Sequence, residues 1–130
     1  MRIKHPDKKN ALSIVHAAER ELAFTLKIAV TDESAFTIIR NIYECFRMLG
    51  DALLVAKGFE SQDHVEPMRE LQNTQVKTDR PLKLIDTLRK LRHDINYYGY
   101  TPSKIEADDA ISIAHACFPQ LLKFVKKEIQ

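Results

Sequence analysis

The strongest constraint on the fold is an apolar pattern with helical spacing between residues 36 and 56. Apolar side chains recur there at steps of three and four residues, which places them on one face of an α-helix. This stripe comprises Phe36, Ile39, Ile42, Phe46, Leu49, Leu53 and Ala56. Gly58 follows the stripe and is typical of a helix C-terminus, because glycine readily adopts a left-handed conformation. So long a stripe must be buried against other elements, and it therefore predicts a multi-helix fold.

Three further helices are predicted from stripes of the same kind. The stripe of the first comprises Leu12, Val15, Ala18, Leu22, Leu26 and Ala29. The third helix begins at Pro81 and breaks at residues 98–100, with a stripe of Leu84, Leu88, Leu91 and Ile95. The stripe of the fourth comprises Ile105, Ala110, Ile113, Ala114, Cys117, Leu121, Val125 and Ile129. The chain has only three glycines, which also favours helices.

The boundaries of the fourth helix are less regular than its stripe. Thr101 before Pro102 predicts an N-cap followed by the first helical residue. Ser103 with Glu106 is an overlapping alternative, as a capping box. Pro119 lies inside the pattern and is expected to kink or divide the helix, because proline lacks the amide hydrogen that closes a helical turn.

The segment between the second and third helices lacks strong periodicity. Residues 61–71 are compatible with a short helix, and residues 73–80 are predicted to form a loop. Short connections between long amphipathic helices favour antiparallel neighbours. The sequence therefore predicts an all-α fold, an antiparallel four-helix bundle with an extra short helix or irregular segment between helices two and three. A single domain is predicted over residues 1–130, since no linker or repeat interrupts the chain.

Charge and composition exclude several classes of function. The 20 basic and 18 acidic residues leave a net charge of only +2, so nucleic-acid binding would require a local patch. No apolar run approaches the roughly 18 residues that span a bilayer, and the N-terminus does not resemble a signal peptide. A cytoplasmic location without membrane association is therefore expected. Cys45 and Cys117 lie on apolar stretches without CxxC spacing and are predicted to be reduced core residues.

Residues 88–100 combine core positions with polar side chains suited to binding. At about 100° per residue, four of these side chains share one flank of the helix, away from its apolar stripe. They are Arg89, Arg92, His93 and Asn96, and Tyr97 lies one turn beyond His93. Arginine can bind phosphate oxygens with two hydrogen bonds, and tyrosine can stack on a nucleobase. The segment is therefore a candidate for binding phosphate and base, although similar helices also occur on ordinary solvated surfaces.

The position of this motif resembles the HEPN superfamily. In that family, an arginine and a following polar residue lie near the end of the third long helix of a small bundle, with a histidine a few residues further on. Arg92 matches the family arginine, and His93 matches the polar residue that follows it. A similar order of helices extends from about Asn10 to Ile129.

The family histidine is expected at position 97, where this chain has tyrosine. Some members of the family carry tyrosine there, and the pair Asn96–Tyr97 is similar to that variant. For the active ribonucleases of the family, the resemblance implies metal-independent cleavage, without a cofactor, in a cleft between two protomers. Arginine would stabilise the charge that develops when a ribose 2′-hydroxyl attacks phosphate, and histidine would transfer protons.

Tyrosine cannot easily replace that histidine. A phenol ordinarily has a pKa near 10 and is a poor general base at neutral pH. The motif therefore predicts binding more strongly than catalysis. The catalytic candidates are Arg92, His93 and Tyr97, and the candidates for binding RNA or a nucleotide are these three together with Arg89 and Asn96.

The resemblance implies a homodimer and leaves three functions open. The first is an RNA- or nucleotide-binding module, as a toxin–antitoxin or RNA-processing component. The second is a catalytically inactive partner module for a nucleotidyltransferase-type protein, in which exposed tyrosines act as acceptors or docking groups. The third is a metal-independent endoribonuclease. A helical dimer whose polar motif merely solvates a helix is the alternative to all three.

Histidines elsewhere in the chain give weaker signals. Asp63, His64 and Glu66 lie in the irregular middle segment without the further converging ligands that a metal site needs. They are expected to form a solvated loop, and no metal is predicted. His16 and His115 lie near apolar faces and are expected to be core or boundary histidines.

Four residues flank the stripe of the second helix: Arg40, Tyr43, Glu44 and Arg47. They are expected to form a solvated face, with Arg40 and Glu44 paired one turn apart. If the HEPN geometry holds, they would instead line a cleft opposite Arg92.

Overall fold

The computed structural model describes residues 2–130, which form five helices and a small sheet. The helices are α1 (Lys8–Thr25), α2 (Ala35–Lys57), α3 (Val65–Gln72), α4 (Leu84–Tyr98) and α5 (Lys104–Ile129). The strands β1 (Arg2–Ile3) and β2 (Phe59–Glu60) pair antiparallel, with Ile3 opposite Phe59. The predominance of helix confirms the predicted all-α class, and α3 confirms a short helix before the third long one. The sequence pattern does not predict the small sheet.

α2 is the central element, and the other four helices all pack against it. The predicted stripe covers one face of α2, but the structure buries residues on other faces too. Buried residues outside the stripe are Ala35, Ile38, Tyr43, Cys45, Gly50, Ala52 and Leu54. Phe36, a member of the stripe, is instead 38% exposed in the first turn. A helix with neighbours on several sides is buried over most of its circumference, and removing this apolar surface from water favours folding.

Glycines and a capping box set the ends of the helices near the polar motif. Gly58 ends α2 with a left-handed backbone at φ 91°, as predicted, and Gly99 ends α4 in the same manner at φ 66°. α5 begins at the N-cap Ser103, whose hydroxyl accepts from the Glu106 amide. The Glu106 carboxylate in turn accepts from the Ser103 amide at 3.0 Å. The capping-box alternative is therefore confirmed, and the N-cap at Thr101 is wrong.

Pro119 does not divide α5, which continues without interruption through this residue. The predicted division is therefore wrong. Pro119 is exposed, and so is His115, whose carbonyl group loses its helical partner at this position. Because both residues lie on the solvent side of α5, the lost hydrogen bond leaves no unsatisfied polar group in the core.

Side-chain burial corrects the histidine predictions and confirms those for the cysteines. His16 and His115 are both exposed, because each projects from the outer face of its helix. Cys45 and Cys117 are buried and unpaired, as predicted for reduced core residues. Over residues 2–130, no helix is both long and apolar enough to cross a membrane.

The close approach of α3 to α2 requires a glycine at position 50. A Cβ atom on Gly50 would overlap the carbonyl group of Pro67, which belongs to the backbone of α3. A backbone obstacle of this kind cannot be avoided by a change of rotamer. Gly50 therefore allows α3, and the segment that leads into it, to lie directly on α2.

Replacing Gly50 with alanine is expected to lower the free energy of unfolding by about 1–3 kcal/mol, because the added methyl group forces α3 away from α2. Helix propensity by itself predicts the opposite sign, since alanine is favoured over glycine in a helix interior by about 1 kcal/mol. Urea denaturation followed by circular dichroism measures the difference. An equal or higher free energy of unfolding for Gly50→Ala would contradict the close α2–α3 contact.

Candidate functional site

The last three turns of α4 carry the predicted motif. The apolar positions Leu88 and Ile95 are buried and hold the helix in the core. The five predicted site residues fall into an exposed group and a half-buried group. His93, Asn96 and Tyr97 are exposed, and Arg89 and Arg92 are half-buried. The two groups have different partners.

Three aromatic rings form an exposed cluster at the C-terminal end of α4. The centroid of the His93 ring lies 4.7 Å from that of Tyr97 and 5.6 Å from that of Tyr98. Tyr97 and Tyr98 are 67% and 75% exposed, so a planar ligand can reach both rings. These three residues are termed the aromatic cluster.

Arg92 is directed towards α2. Its Cζ atom lies 5.7 Å from the centroid of the Tyr43 ring, within the range of a cation–π interaction. Tyr43 is fully buried, so the expectation that it belongs to a solvated face of α2 is wrong. It is buried because α4 and the segment before α3 both cover this side of α2.

The Tyr43 hydroxyl group is hydrogen-bonded to His64, the residue immediately before α3. The Tyr43 oxygen and His64 Nδ1 are 2.9 Å apart, and the ring centroids are separated by 5.9 Å. Burial raises the pKa of Tyr43 to about 12, so the phenol is protonated at neutral pH. The hydrogen bond joins this phenol to Nδ1 of the imidazole, and the tautomer of His64 decides which of the two groups donates.

The surroundings of His64 favour its neutral form. Partial burial lowers the pKa of His64 below the ordinary value of 6.5, and the positive charges of Arg92 and Arg47 lower it further. Nearby carboxylates act in the opposite direction but are the smaller influence. Tyr43, His64 and Arg92 thus form one connected set of side chains from three elements, termed the Tyr43 group.

Asp63 fixes the turn that presents His64 to α2. Its Oδ1 atom accepts from the amides of Val65 and Glu66 at 2.9 and 3.0 Å, which caps the start of α3. His64 is half-buried rather than part of a fully solvated loop. Within residues 2–130, no group of three or more histidine, cysteine, aspartate or glutamate side chains could hold a metal ion.

A cleft of about 390 Å³ lies beside His64, between α2 and residues 60–64. On α2 it is lined by Arg47, Asp51 and Val55. Burial raises the pKa of Asp51, and the opposite charge of Arg47 partly offsets this. The cleft leaves one side of the His64 segment accessible from outside.

The two arginines of the motif differ in the charge that they offer to a ligand. Arg89 Nε donates to the Asp86 carboxylate at 2.8 Å, so its charge is largely neutralised within α4. Arg92 forms no ion pair with any of residues 2–130, and its described partner is the Tyr43 ring. Arg92 is therefore the better candidate for binding an anion.

The charged flank of α2 is paired differently from the prediction. Arg47 binds the carboxylates of Glu44 at 2.7 Å and Asp51 at 2.6 Å. Arg40 lies over the Phe36 ring, with 5.0 Å between Cζ and the ring centroid. The predicted Arg40–Glu44 pair is therefore wrong. Because two carboxylates surround one guanidinium, this flank of α2 does not attract phosphate.

Comparisons with known proteins leave the functional inference to this geometry. No protein-family model matches the chain, and neither a curated protein nor a solved structure matches it. The contacts of α4 and its neighbours are therefore the basis for a proposed function.

The sequence does not predict that the side chains of Tyr43 and His64 are in contact. A signal for the burial of Tyr43 exists, because it lies four residues after Ile39 and three before Phe46, beside the core stripe. His64 gives no such signal, since its partner is 21 residues away in the chain and is reached only by folding.

The pKa of His64 is expected to rise when Arg92 is replaced by glutamine, because the loss of a nearby positive charge favours protonation. NMR titration of the His64 ring measures this pKa, and in the wild type it should lie below 6.5. Arg20→Gln removes an exposed arginine from α1 and should leave the titration unchanged. An identical His64 pKa in the wild type and in Arg92→Gln would show that Arg92 does not act on this ring.

Proposed function

We propose that the chain is a HEPN-like four-helix-bundle protein that binds single-stranded RNA or a nucleotide, as a homodimer, through the outer surface of α4. The observation that carries this proposal is the exposed aromatic cluster at the end of α4 that also carries Arg92, an arginine with no ion-pair partner among residues 2–130. The four long helices, with the motif at the end of the third, support the HEPN-like arrangement. The homodimer is part of the same family resemblance.

Each part of this surface has a distinct role in the proposal. Tyr97 and Tyr98 stack on bases, because such stacking requires only an accessible ring face. Arg92 binds phosphate, since its contact with Tyr43 occupies one face of the guanidinium and leaves N–H groups at the edge. Asn96 lies one turn from Arg92 and offers an amide donor and acceptor to the edge of a base.

Single-stranded RNA suits this surface better than a duplex. Bases in a duplex are stacked on one another, whereas unpaired bases can be received by protein rings. With a net charge of only +2 and one unpaired arginine in the motif, the protein should contact few phosphates. The logarithm of the affinity should therefore fall with the logarithm of salt with a slope of about −0.7 per phosphate contacted.

Tyr97→Ala is expected to weaken the binding of a fluorescein-labelled single-stranded RNA by roughly 5- to 150-fold, because one stacking contact contributes about 1–3 kcal/mol. Tyr97→Phe keeps the ring and should bind like the wild type. Fluorescence anisotropy at fixed salt measures both dissociation constants. Phe24→Ala is the matched control, since Phe24 is 64% exposed but lies on α1.

An equal loss of affinity in Phe24→Ala, or no loss in Tyr97→Ala, would contradict the stacking role. If the wild type binds no RNA, the proposal fails. The exposed hydroxyl groups of Tyr97 and Tyr98 then favour the alternative of a partner module, in which a nucleotidyltransferase-type protein uses them as acceptors or docking groups.

Metal-independent RNA cleavage is a second candidate function. It is favoured by the exposed imidazole of His93, which follows Arg92 directly in the chain, because imidazole is well suited to proton transfer near neutral pH. The two side chains have different partners, however, since Arg92 lies over Tyr43 and His93 lies against Tyr97. They are not held together as a catalytic pair, and binding is therefore the better-supported function.

The purified protein, in a buffer with a metal chelator, is expected to bind a mixed RNA pool without cleaving it, because the exposed imidazole of His93 lies against Tyr97 and Tyr98, whereas Arg92 lies over Tyr43. Denaturing gel electrophoresis after incubation measures cleavage. Cleavage by the wild type that disappears in Arg92→Gln would instead establish a metal-independent ribonuclease, and Tyr97→Phe would then show whether the phenol takes part.

A further inference from the structure

A groove lies between α4 and α5, and none of the residues that line it belongs to the proposed RNA surface. Its floor is apolar and consists of Leu88 and Leu91 from α4 with Ala110 and Ile113 from α5. Its volume is about 560 Å³. Ile105 lies at one end of the groove and is 79% exposed, although isoleucine is among the residues most often buried. An open apolar groove with an exposed isoleucine at its end has the features of a docking surface.

The rim of this α4–α5 groove is acidic. Asp94, Glu106 and Asp109 line it, together with one lysine, Lys90. Lys90 Nζ forms an ion pair with the Asp86 carboxylate of α4 at 3.5 Å, and the Asp109 carboxylate forms one with Arg80 at 2.9 Å. Asp94 forms no ion pair with any of residues 2–130. The rim therefore attracts a cationic partner and repels the phosphates of RNA.

We propose that the α4–α5 groove binds one cationic amphipathic helix of a partner protein, with apolar side chains on the groove floor and lysine or arginine side chains against the acidic rim. Helices occupy grooves of this kind through apolar side chains at positions i, i+3, i+4 and i+7. The apolar floor provides the affinity, and the charge of the rim selects against acidic helices. The proposal does not depend on RNA binding, because none of the residues that line the groove belongs to the proposed RNA surface.

A second copy of this chain fits the groove less well than a cationic helix. In a two-fold symmetric dimer, the same patch of both protomers meets itself. The two acidic rims would then face each other, and juxtaposed like charges disfavour association. The homodimer of the proposed function is therefore expected to use another surface.

Fluorescence anisotropy with a designed, fluorescein-labelled helical peptide tests the groove. The lysine probe has leucine at positions i, i+3, i+4 and i+7 and lysine on its remaining face. One control peptide has glutamate in place of each lysine, and the other has the composition of the probe in scrambled order. The full-length protein is expected to bind the lysine probe at least about tenfold more tightly than either control. Equal binding of the scrambled peptide would reveal charge attraction without a groove and would overturn the proposal.

Two groove variants and a matched control locate the binding. Ile105→Ser is expected to weaken the binding of the lysine probe by about three- to tenfold, because it removes an apolar contact. Asp94→Lys is expected to weaken it by a similar factor, because it reverses a charge on the rim. Ile3→Ser is the control, since Ile3 is 81% exposed on β1, and it should bind the probe like the wild type. Unchanged affinity in both groove variants would overturn the assignment to this groove.

Measuring both RNA and probe binding in the same variants tests whether the groove and the aromatic cluster are separate binding sites. Ile105→Ser should bind labelled RNA like the wild type, and Tyr97→Ala should bind the lysine probe like the wild type. Competition of unlabelled RNA with the probe would overturn the separation of the two surfaces. Analytical ultracentrifugation adds one further outcome: a wild-type dimer that dissociates in Ile105→Ser would place a second copy in the groove and overturn the proposal.

Discussion

α2 carries the hydroxyl group of Tyr43 into the interior of the protein, where the side chain is fully buried. Burying a hydroxyl group without a hydrogen bond costs about 1–3 kcal/mol, so the fold must provide a partner. His64 provides it, and Arg92 covers the same ring from α4. Tyr43 therefore joins the segment before α3 and the last turns of α4 to the central helix.

The electrostatics of the region follow from this arrangement. Partial burial, followed by the positive charges of Arg92 and Arg47, disfavours the protonated form of His64, whose pKa is lower in the folded protein than the ordinary value of 6.5. As pH falls below about 6.5, the unfolded chain takes up a proton at this histidine before the folded chain does. The contribution of neutral His64 to stability is thus present above that pH and is lost as pH falls through the folded pKa.

The long helices are predictable from the sequence, because apolar residues at steps of three and four fit few structures other than an α-helix. The end of α2 at Gly58 is also predictable, because it depends on the backbone conformation of that one glycine. The continuity of α5 through Pro119 is less predictable, since the cost of an internal proline depends on which side of the helix faces solvent. For the site, the spacing places the motif residues on one flank of α4. It cannot show that Arg92 turns to Tyr43 or that His64 meets the same ring, because those contacts arise only from tertiary packing. A helical wheel identifies apolar positions, but it does not reveal how many neighbours a helix will have.

The small sheet joins residues that are far apart along the chain, with Ile3 opposite Phe59 and the Lys4 amide donating to the Gly58 carbonyl at 2.6 Å. Closing so long a loop early in folding would cost chain entropy for few contacts, whereas α1 and α2 are consecutive and pack directly. We therefore expect the α1–α2 hairpin to form first and the N-terminal strand to dock onto it later. Because β2 leads directly into residues 61–64, the N-terminal strand then restrains the chain immediately before His64.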